Sequence, residues 1–207
     1  MSRVYPDEVA REFERPPFTF TDDNGREIAI RTYGGSVPDG NERHEQGSNG
    51  DEASESDGEG RQPAEDNGGI EFETLVEMYV AFDPADRAQG IPPARESGIR
   101  EWLETVLDGG CDVLAWHEND CVGHATLVPD GENAYELAIF VTSEYQRAGI
   151  GSQLMEGLLG HGQTRGAAGV WLTVERWNDV AMALYRKFGF ETSNTDSFEL
   201  EMSLRLQ

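Results

Sequence analysis

Residues 141–151 read VTSEYQRAGIG, a strand-like run that turns at two glycines and continues into a helical pattern. Glycine permits positive φ angles and lets a ligand approach the backbone closely. The first N–H groups of a helix have no intrahelical acceptor, and the helix dipole places partial positive charge beside them. The sequence therefore predicts a strand–turn–helix unit that binds an anion, with a phosphate or diphosphate as the natural ligand.

Three other interpretations of this turn have to be weighed. A Walker A loop needs a lysine before its Ser or Thr, whereas Gly151 is followed by Ser152 and Gln153. A dinucleotide fold needs a third small residue, and that position is Leu154. The third interpretation is a turn whose glycines serve only tight packing. The strand–helix–strand context keeps the dinucleotide fold as a minor alternative.

The distribution of charge favours the anion site. The chain of 207 residues has a net charge of −24. Residues 141–190 hold five basic and four acidic side chains, a local charge of +1 in an otherwise strongly acidic protein. The one lysine of the chain, Lys187, also lies in this segment. A stretch that is spared from acid in this way is typical of a surface that meets an anion.

A second segment carries polar groups at helical spacing. Residues 178–190 read NDVAMALYRKFGF, with Asn178, Ala181 and Tyr185 at positions i, i+3 and i+7. This spacing places the three residues on one face of a helix. The small alanine between two polar side chains leaves room for a ligand chain against that face.

Together the two segments resemble the GNAT (GCN5-related) N-acetyltransferase superfamily. The family's coenzyme motif, Gln/Arg-x-x-Gly-x-Gly/Ala, matches Gln146, Gly149 and Gly151. Its later motif matches Asn178, Ala181, Tyr185, Gly189 and Phe190. The close resemblance covers residues 134–190. It implies an α/β fold in which helices flank a mixed, mostly antiparallel sheet with splayed strands.

The resemblance also implies acetyl-CoA as cosubstrate. The diphosphate would lie on the amides of Arg147 to Gly151, and the pantetheine arm would bond to the splayed end of strand 137–141. The Val141 amide would polarise the thioester carbonyl. The implied coenzyme-binding residues are Phe140, Val141, Gln146, Arg147, Ala148, Gly149, Ile150, Gly151, Ser152, Asn178 and Tyr185.

Acetyl would pass directly from the thioester to a primary amine, without an acyl-enzyme. Tyr185 stands where the family places the general acid that protonates the CoA thiolate. Glu136 is the candidate base for the acceptor ammonium, provided that burial raises its pKa. Strand alternation lets only one of Tyr135 and Glu136 face the cleft, so Tyr135 competes for that position.

The remaining sequence predicts one domain over residues 16–207. Residues 1–15 are expected to be poorly ordered, and 36–69, which hold ten acids and two arginines, to form a disordered acidic insertion. Asn24-Gly25 predicts a hairpin turn between two strands in 18–33. The other predicted elements are helices at 70–82, 99–107, 151–160 and 179–188, and strands at 111–117, 121–128, 134–141, 169–175 and 198–206.

The composition argues against some binding partners and indicates where the protein works. A chain with sixteen basic and forty acidic residues is not expected to bind nucleic acid or an anionic membrane, because both repel negative charge. No membrane span or signal peptide is recognised, so a cytoplasmic protein is expected. The acid excess with a single lysine suggests an extreme halophile, in whose concentrated salt carboxylate repulsion is screened. Two cysteines and four histidines without ligand spacing predict no metal site.

One alternative function remains open: a non-catalytic acyl-CoA-binding or interaction module with the same fold. A third hypothesis, a nicotinamide-dependent oxidoreductase, fails because Leu154 stands where the dinucleotide motif needs a small residue. The acceptor is expected to be cationic, either a small amine or the lysine or terminal amine of a protein. A homodimer is possible.

Overall fold

The computed structural model describes residues 3–35, 67–83, 87, 91–131, 133–194 and 198–207. Four helices are present in these ranges: α1 (Asn67–Val80), α2 (Glu96–Leu107), α3 (Ile150–Thr164) and α4 (Asp179–Lys187). The strands are β1 (Phe18–Thr21), β2 (Glu27–Thr32), β3 (Cys111–His117), β4 (Asp120–Pro129), β5 (Ala134–Val141), β6 (Gly169–Glu175), β7 (Glu191–Asn194) and β8 (Glu199–Arg205).

All eight strands form one sheet in the order β1-β2-β3-β4-β5-β6-β8-β7. Six of the seven strand pairs are antiparallel, and β5–β6 is the parallel one. This architecture confirms the predicted α/β fold with a mixed, mostly antiparallel sheet. The hairpin predicted around Asn24-Gly25 is present, with Phe18 opposite Ile30 and Thr21 opposite Glu27.

The sheet splits between its two parallel strands, β5 and β6. Only Ala134–Glu136 of β5 pair with β6, through Gly169–Trp171, although β5 continues to Val141 and β6 to Glu175. Beyond Glu136 the two strands therefore leave each other. The closed end of this opening lies at the register pair Glu136–Trp171.

Two hydrophobic clusters cover opposite faces of the sheet. On one face α3 and α4 pack on alternate residues of the central strands, among them Leu137 of β5 and Val170 and Leu172 of β6. On the other face α1 and α2 pack on Leu114 and Trp116 of β3. Because side chains alternate along a strand, Glu136 and Phe140 share the face of α1 and α2.

The amino-terminal segment differs from the expectation of poor order in residues 1–15. Phe13 is 5% exposed within the cluster that holds α3. The Ala10 N–H donates to the Arg205 carbonyl at 2.8 Å, and Arg11 pairs with Glu156 of α3. A Cβ on Gly160 would overlap the carbonyl oxygen of Glu14, so the glycine makes room for the backbone of this segment.

Other predicted boundaries shift or fall outside the described residues. The predicted insertion at 36–69 lies outside them up to residue 66, and residues 67–69 belong to the first turn of α1. Helix α3 extends to Thr164, beyond the predicted end near 160. Strand β7, which pairs with β8 at the edge of the sheet, was not predicted.

No helix in the described residues has both the length and the apolar character that a membrane span requires. His, Cys, Asp and Glu side chains in the same ranges do not gather in threes at metal-binding distance.

Candidate active site

The turn after β5 adopts a conformation that exposes its backbone donors. Arg147 has a φ of 56° and Gly149 a φ of 87°, and α3 begins at Ile150. The left-handed region is unfavourable for a side chain such as that of arginine, and such conformations concentrate at ligand-binding sites. Among the described residues, no acceptor meets the N–H groups of the exposed Arg147 and Gly149, whereas the hydrogen-bonded turn at Gln146–Arg147 ends at the buried Ala148. Exposed donors beside the start of a helix are suited to binding an anion.

The turn of the β1–β2 hairpin holds this loop from one side. The Asp23 N–H donates to the Ala148 carbonyl at 3.2 Å. The buried Asp22 carboxylate binds Arg26 at 2.7 Å, and the guanidinium of Arg26 lies 4.0 Å from the centre of the Tyr145 ring. Hydrogen bonds from Arg26 hold the pKa of Asp22 below its ordinary value, against the opposing effect of burial. Asp22 is therefore ionised at neutral pH and fixes the arginine that packs on the loop.

The residues predicted to bind coenzyme divide into backbone and side-chain contributors. Ala148 and Ile150 are buried as whole residues, backbone included, so the residues of the turn that a ligand can reach are Arg147, Gly149 and Gly151. Gln146 donates from Nε2 to the Val141 carbonyl at 3.1 Å and so closes the turn. The Phe140 ring packs on the face of α1 and α2, which leaves its backbone as its possible contact with a coenzyme.

Helix α4 brings the second motif to this turn. Lys187 donates from Nζ to the Ser152 hydroxyl at 3.1 Å, and a Cβ on Gly151 would lie 3.6 Å from Leu184. The carboxyl-terminal half of α4 therefore lies beside the start of α3. The one lysine of the chain adds its charge where the free N–H groups lie, a role that the local charge count alone did not reveal.

Tyr185 lies on the inner side of α4. Its ring is 8% exposed and lies 5.9 Å from the Phe190 ring. Burial raises the pKa of the Tyr185 hydroxyl to about 12, so it carries its proton at neutral pH. In the described part of the chain the hydroxyl has no hydrogen-bond partner. Tyr185 is thus a protonated and uncommitted donor, as a general acid requires.

Asn178 has a structural task that the sequence did not reveal. It is the N-cap of α4, and its Oδ1 accepts a hydrogen bond from the Ala181 N–H at 3.1 Å. This bond satisfies one of the free donors at the helix start. The amide NH₂ of Asn178 is the part that remains for a ligand.

Glu136 and Tyr135 occupy opposite faces of β5. Tyr135 packs with the cluster of α3 and α4, whereas Glu136 is exposed on the face of α1 and α2. Loss of solvent around the Glu136 carboxyl raises its pKa, Asp130 raises it further, and Arg3 opposes both. Of the two competitors, Glu136 is the one on the face opposite the free N–H groups.

A buried polar chain near this face was not predicted. The Tyr79 hydroxyl lies 2.7 Å from His124 Nδ1, and His124 Nε2 lies 3.0 Å from Asp112 Oδ1. Because a carboxylate only accepts, His124 donates to Asp112 from Nε2, and its Nδ1 shares a hydrogen bond with the Tyr79 hydroxyl. The Tyr79 ring also makes an edge contact with Phe140, at 5.4 Å between centroids. The three residues are distant in sequence, so no local pattern predicts that they contact one another.

The two cysteines take no part in the site. Cys111 and Cys121 are both buried and free. Burial raises the pKa of Cys121 to about 12, so it is a neutral thiol rather than a nucleophilic thiolate.

Comparison with known proteins places this geometry in a family. The profile of the acetyltransferase (GNAT) family matches residues 72–190, more than half of the chain. The chain belongs to the GNAT family. The match includes the turn at 146–151, α4 and both strands of the opening, so the resemblance drawn from the two motifs is confirmed.

Individual GNAT relatives match over shorter stretches. An uncharacterized N-acetyltransferase of Mycobacterium tuberculosis is 32% identical over 89 residues, 42% of this chain and 57% of that protein. The ribosomal protein bS18 alanine N-acetyltransferase of Escherichia coli K12 is 44% identical over 64 residues, 31% of this chain and 42% of that enzyme. The matched part is thus less than two thirds of the length of these curated relatives.

Solved structures share the GNAT fold. The GNAT domain of S. lividans PAT aligns with a TM-score of 0.64 at 12% identity, over 93% of this chain and all of that domain. The PaiA N-acetyltransferase of Thermoplasma acidophilum, solved in complex with coenzyme A, aligns with a TM-score of 0.53 at 20% identity. That alignment covers 66% of this chain and 94% of the other.

Proposed function

We propose that this protein transfers an acetyl group from acetyl-CoA directly to a primary amine. The observation that carries the proposal is the turn at Arg147–Gly151, whose exposed N–H groups, those of Arg147 and Gly149, have no acceptor among the described residues. This turn opens a helix beside the separated strands β5 and β6. Membership in the GNAT family supplies the reaction class that fits this arrangement.

Both backbone groups and side chains of this chain contact the coenzyme. The exposed N–H groups of the turn at Arg147–Gly151 bind the diphosphate, and Lys187 and Ser152 add a charge and a hydroxyl beside it. The pantetheine arm lies along 137–141 of β5, where β6 no longer pairs. Val141 and Phe140 contribute backbone groups near the thioester, and the free amide of Asn178 approaches from α4.

The transfer needs three proton movements. The acceptor ammonium loses a proton to Glu136, directly or through water, and the amine then attacks the thioester carbonyl. A C–N bond forms, the C–S bond breaks, and the departing thiolate takes the proton of Tyr185. The attacking nitrogen releases its second proton, which returns through water to the Tyr185 phenolate and leaves a neutral amide. A pKa near 12 keeps Tyr185 protonated until the thiolate forms. Most of the rate acceleration comes from holding amine and thioester together.

The acceptor approaches from the face of α1 and α2. The free N–H groups and Tyr185 belong to elements on the face of α3 and α4, so the coenzyme occupies that side, and Glu136 lies on the other. The acidic protein favours a cationic acceptor, a small amine or an amine of a protein. Because one relative is named as an N-acetyltransferase for an alanine of a ribosomal protein, peptides with an amino-terminal alanine belong in the test.

The test is turnover of acetyl-CoA with a mixed library of amines and peptides, with products identified by mass spectrometry. Tyr185→Phe should lower kcat while the affinity for CoA stays within about twofold, because the ring and its packing remain. Tyr33→Phe, at a half-buried tyrosine after β2, is the matched control and should keep full activity. CoA binding without any acetylated product would instead support a non-catalytic binding module, and an unchanged kcat in Tyr185→Phe would exclude its role as the acid.

We also propose the setting predicted by the composition: a metal-independent, cytoplasmic protein of a salt-rich cell, active as a monomer or homodimer. Residues 16–207 form one domain, and the amino-terminal segment around Phe13 packs into the same core. Forty acidic residues against a single lysine support the salt dependence. Unfolding midpoints should rise with KCl concentration up to molar salt, because screening of the carboxylates removes their repulsion. Full stability in dilute buffer would contradict this adaptation.

A further inference from the structure

Arg3 occupies a cation site on the acceptor face of the sheet. Its guanidinium carbon lies 3.3 Å from the centre of the Trp171 ring. Asp130 pairs with Nη1 of Arg3, and Glu201 lies 3.5 Å from its Nε. A planar guanidinium stacked on an indole between two carboxylates is a specific arrangement, because stacking and ion pairing act on the same group.

This site adjoins the place of the proposed chemistry. Trp171 is the register partner of Glu136 at the closed end of the opening, and adjacent strands lie about 4.8 Å apart. The side chains of both residues project to the face of α1 and α2, because Val170 and Leu172 belong to the opposite cluster. Asp130 and Arg3 both shift the pKa of Glu136, in opposite directions. A cation on Trp171 therefore lies within electrostatic reach of the candidate base.

Residues 3–6, which we call the strap, are held by contacts that do not involve the Arg3 side chain. The Val4 carbonyl accepts a hydrogen bond from Ser203 at 2.8 Å, and the Tyr5 ring packs on Gly169 of β6. Just after the strap, the Asp7 carbonyl accepts a hydrogen bond from Arg205 at 3.5 Å. The Arg3 guanidinium can thus leave Trp171 while the backbone of the strap stays in place.

We propose that Trp171, Asp130 and Glu201 form a subsite for a second cationic group of the acceptor, and that Arg3 fills it until an acceptor displaces it. The inference rests on the proposed acetyl transfer. It names the substrate class: a primary amine that carries a guanidinium or a further ammonium a short alkyl chain away. The general acidity of the protein attracts any cation, whereas this subsite selects an acceptor whose second cationic group can contact the Trp171 ring, and it favours a planar guanidinium, which can stack on the ring.

The test is a binding titration with agmatine, a primary amine with a terminal guanidinium, in the presence of CoA. Pentylamine, which has the amine and no second charge, is the comparison ligand. Arg3→Gln should tighten agmatine binding about tenfold, which corresponds to an Arg3 guanidinium that lies on Trp171 in about nine of ten molecules, and leave pentylamine binding unchanged. Adding Asp130→Asn to Arg3→Gln should reverse the gain, because it removes a carboxylate that the guanidinium binds.

Arg11→Gln is the matched control, since it makes the same charge change in the same segment and its partner Glu156 lies on α3. Unchanged agmatine affinity in Arg3→Gln overturns the proposal, and so does an equal gain for both ligands or the same gain in Arg11→Gln. The titration measures binding directly, so its result does not depend on whether the protein transfers acetyl groups. An agmatine-specific gain without acetyl transfer to any amine would refute the proposed reaction alone, and turnover without that gain would refute the subsite alone.

Discussion

Replacing Gly149 by alanine tests whether the left-handed turn is what binds the coenzyme. Gly149 has a φ of 87°, and a Cβ there would meet only Asp23 Oδ2, at 3.9 Å. The added methyl group has room, so the cost arises from the backbone alone. An L-residue in the left-handed region costs about 1–2 kcal/mol.

This cost can show itself in two measurable ways. If the turn keeps its conformation, the free energy of unfolding falls by about 1–2 kcal/mol. If the turn relaxes to negative φ, the N–H groups no longer converge and the affinity for CoA falls by about 5- to 30-fold. The two losses together should account for the whole strain, so both quantities have to be measured on the same protein.

Gly151→Ala is the matched control. A Cβ at Gly151 would lie 3.6 Å from Leu184, an ordinary contact, and its φ is not positive. This variant should keep both CoA affinity and stability. Calorimetric titration with CoA and denaturant unfolding, both in molar KCl, give the two numbers. If Gly149→Ala matches the wild type in both measurements, or if Gly151→Ala loses as much, the account of the turn is wrong.

Three further substitutions test the neighbouring groups. In the wild type, kcat/KM should fall at low pH, because Glu136 must be deprotonated to act as a base. The midpoint of this fall should lie above the ordinary glutamate pKa, because desolvation and Asp130 raise the pKa of Glu136. Glu136→Gln should abolish this dependence on pH. A wild-type fall that persists in Glu136→Gln assigns the base elsewhere. Asn178→Ala should lower the free energy of unfolding by about 1 kcal/mol through loss of the cap on Ala181, and it should weaken CoA binding through loss of the amide NH₂ proposed to meet the coenzyme; an unchanged CoA affinity would remove Asn178 from the coenzyme site. Tyr79→Phe leaves His124 Nδ1 without its hydrogen-bond partner and should lower the unfolding free energy by about 1–3 kcal/mol, and an unchanged denaturant midpoint would refute that bond.

Local sequence patterns predicted much of the fold. Some signals depend on only a few neighbouring residues, so each could be predicted from its own stretch of sequence. These are the Asn24-Gly25 turn, the alternating strands and the helical periodicity of α2 and α4. The ordered conformation of the amino-terminal segment could not be predicted, because it depends on contacts with Arg205 and Glu156, which are far away in the chain. Gly160 marks this contact, yet a lone glycine in a helix does not say which backbone it admits.

The candidate site divides in the same way. The turn at 146–151 was predictable because glycine placement and the following helix are local signals. The cap made by Asn178 follows from its position before α4, but its spacing to Tyr185 also fits a ligand contact, and sequence alone does not separate the two. The cation site on Trp171 joins β6 to Arg3, β8 and the end of β4, and only the folded sheet brings them together.

The most direct test of the account compares CoA with pantetheine, which lacks the diphosphate and the nucleotide, by calorimetric titration in concentrated KCl. If main-chain donors of Arg147–Gly151 hold the diphosphate, CoA should bind with measurable heat and pantetheine at least tenfold more weakly, the equivalent of about 1.4 kcal/mol. Equal affinities for the two ligands, or no heat with CoA, would contradict the central claim.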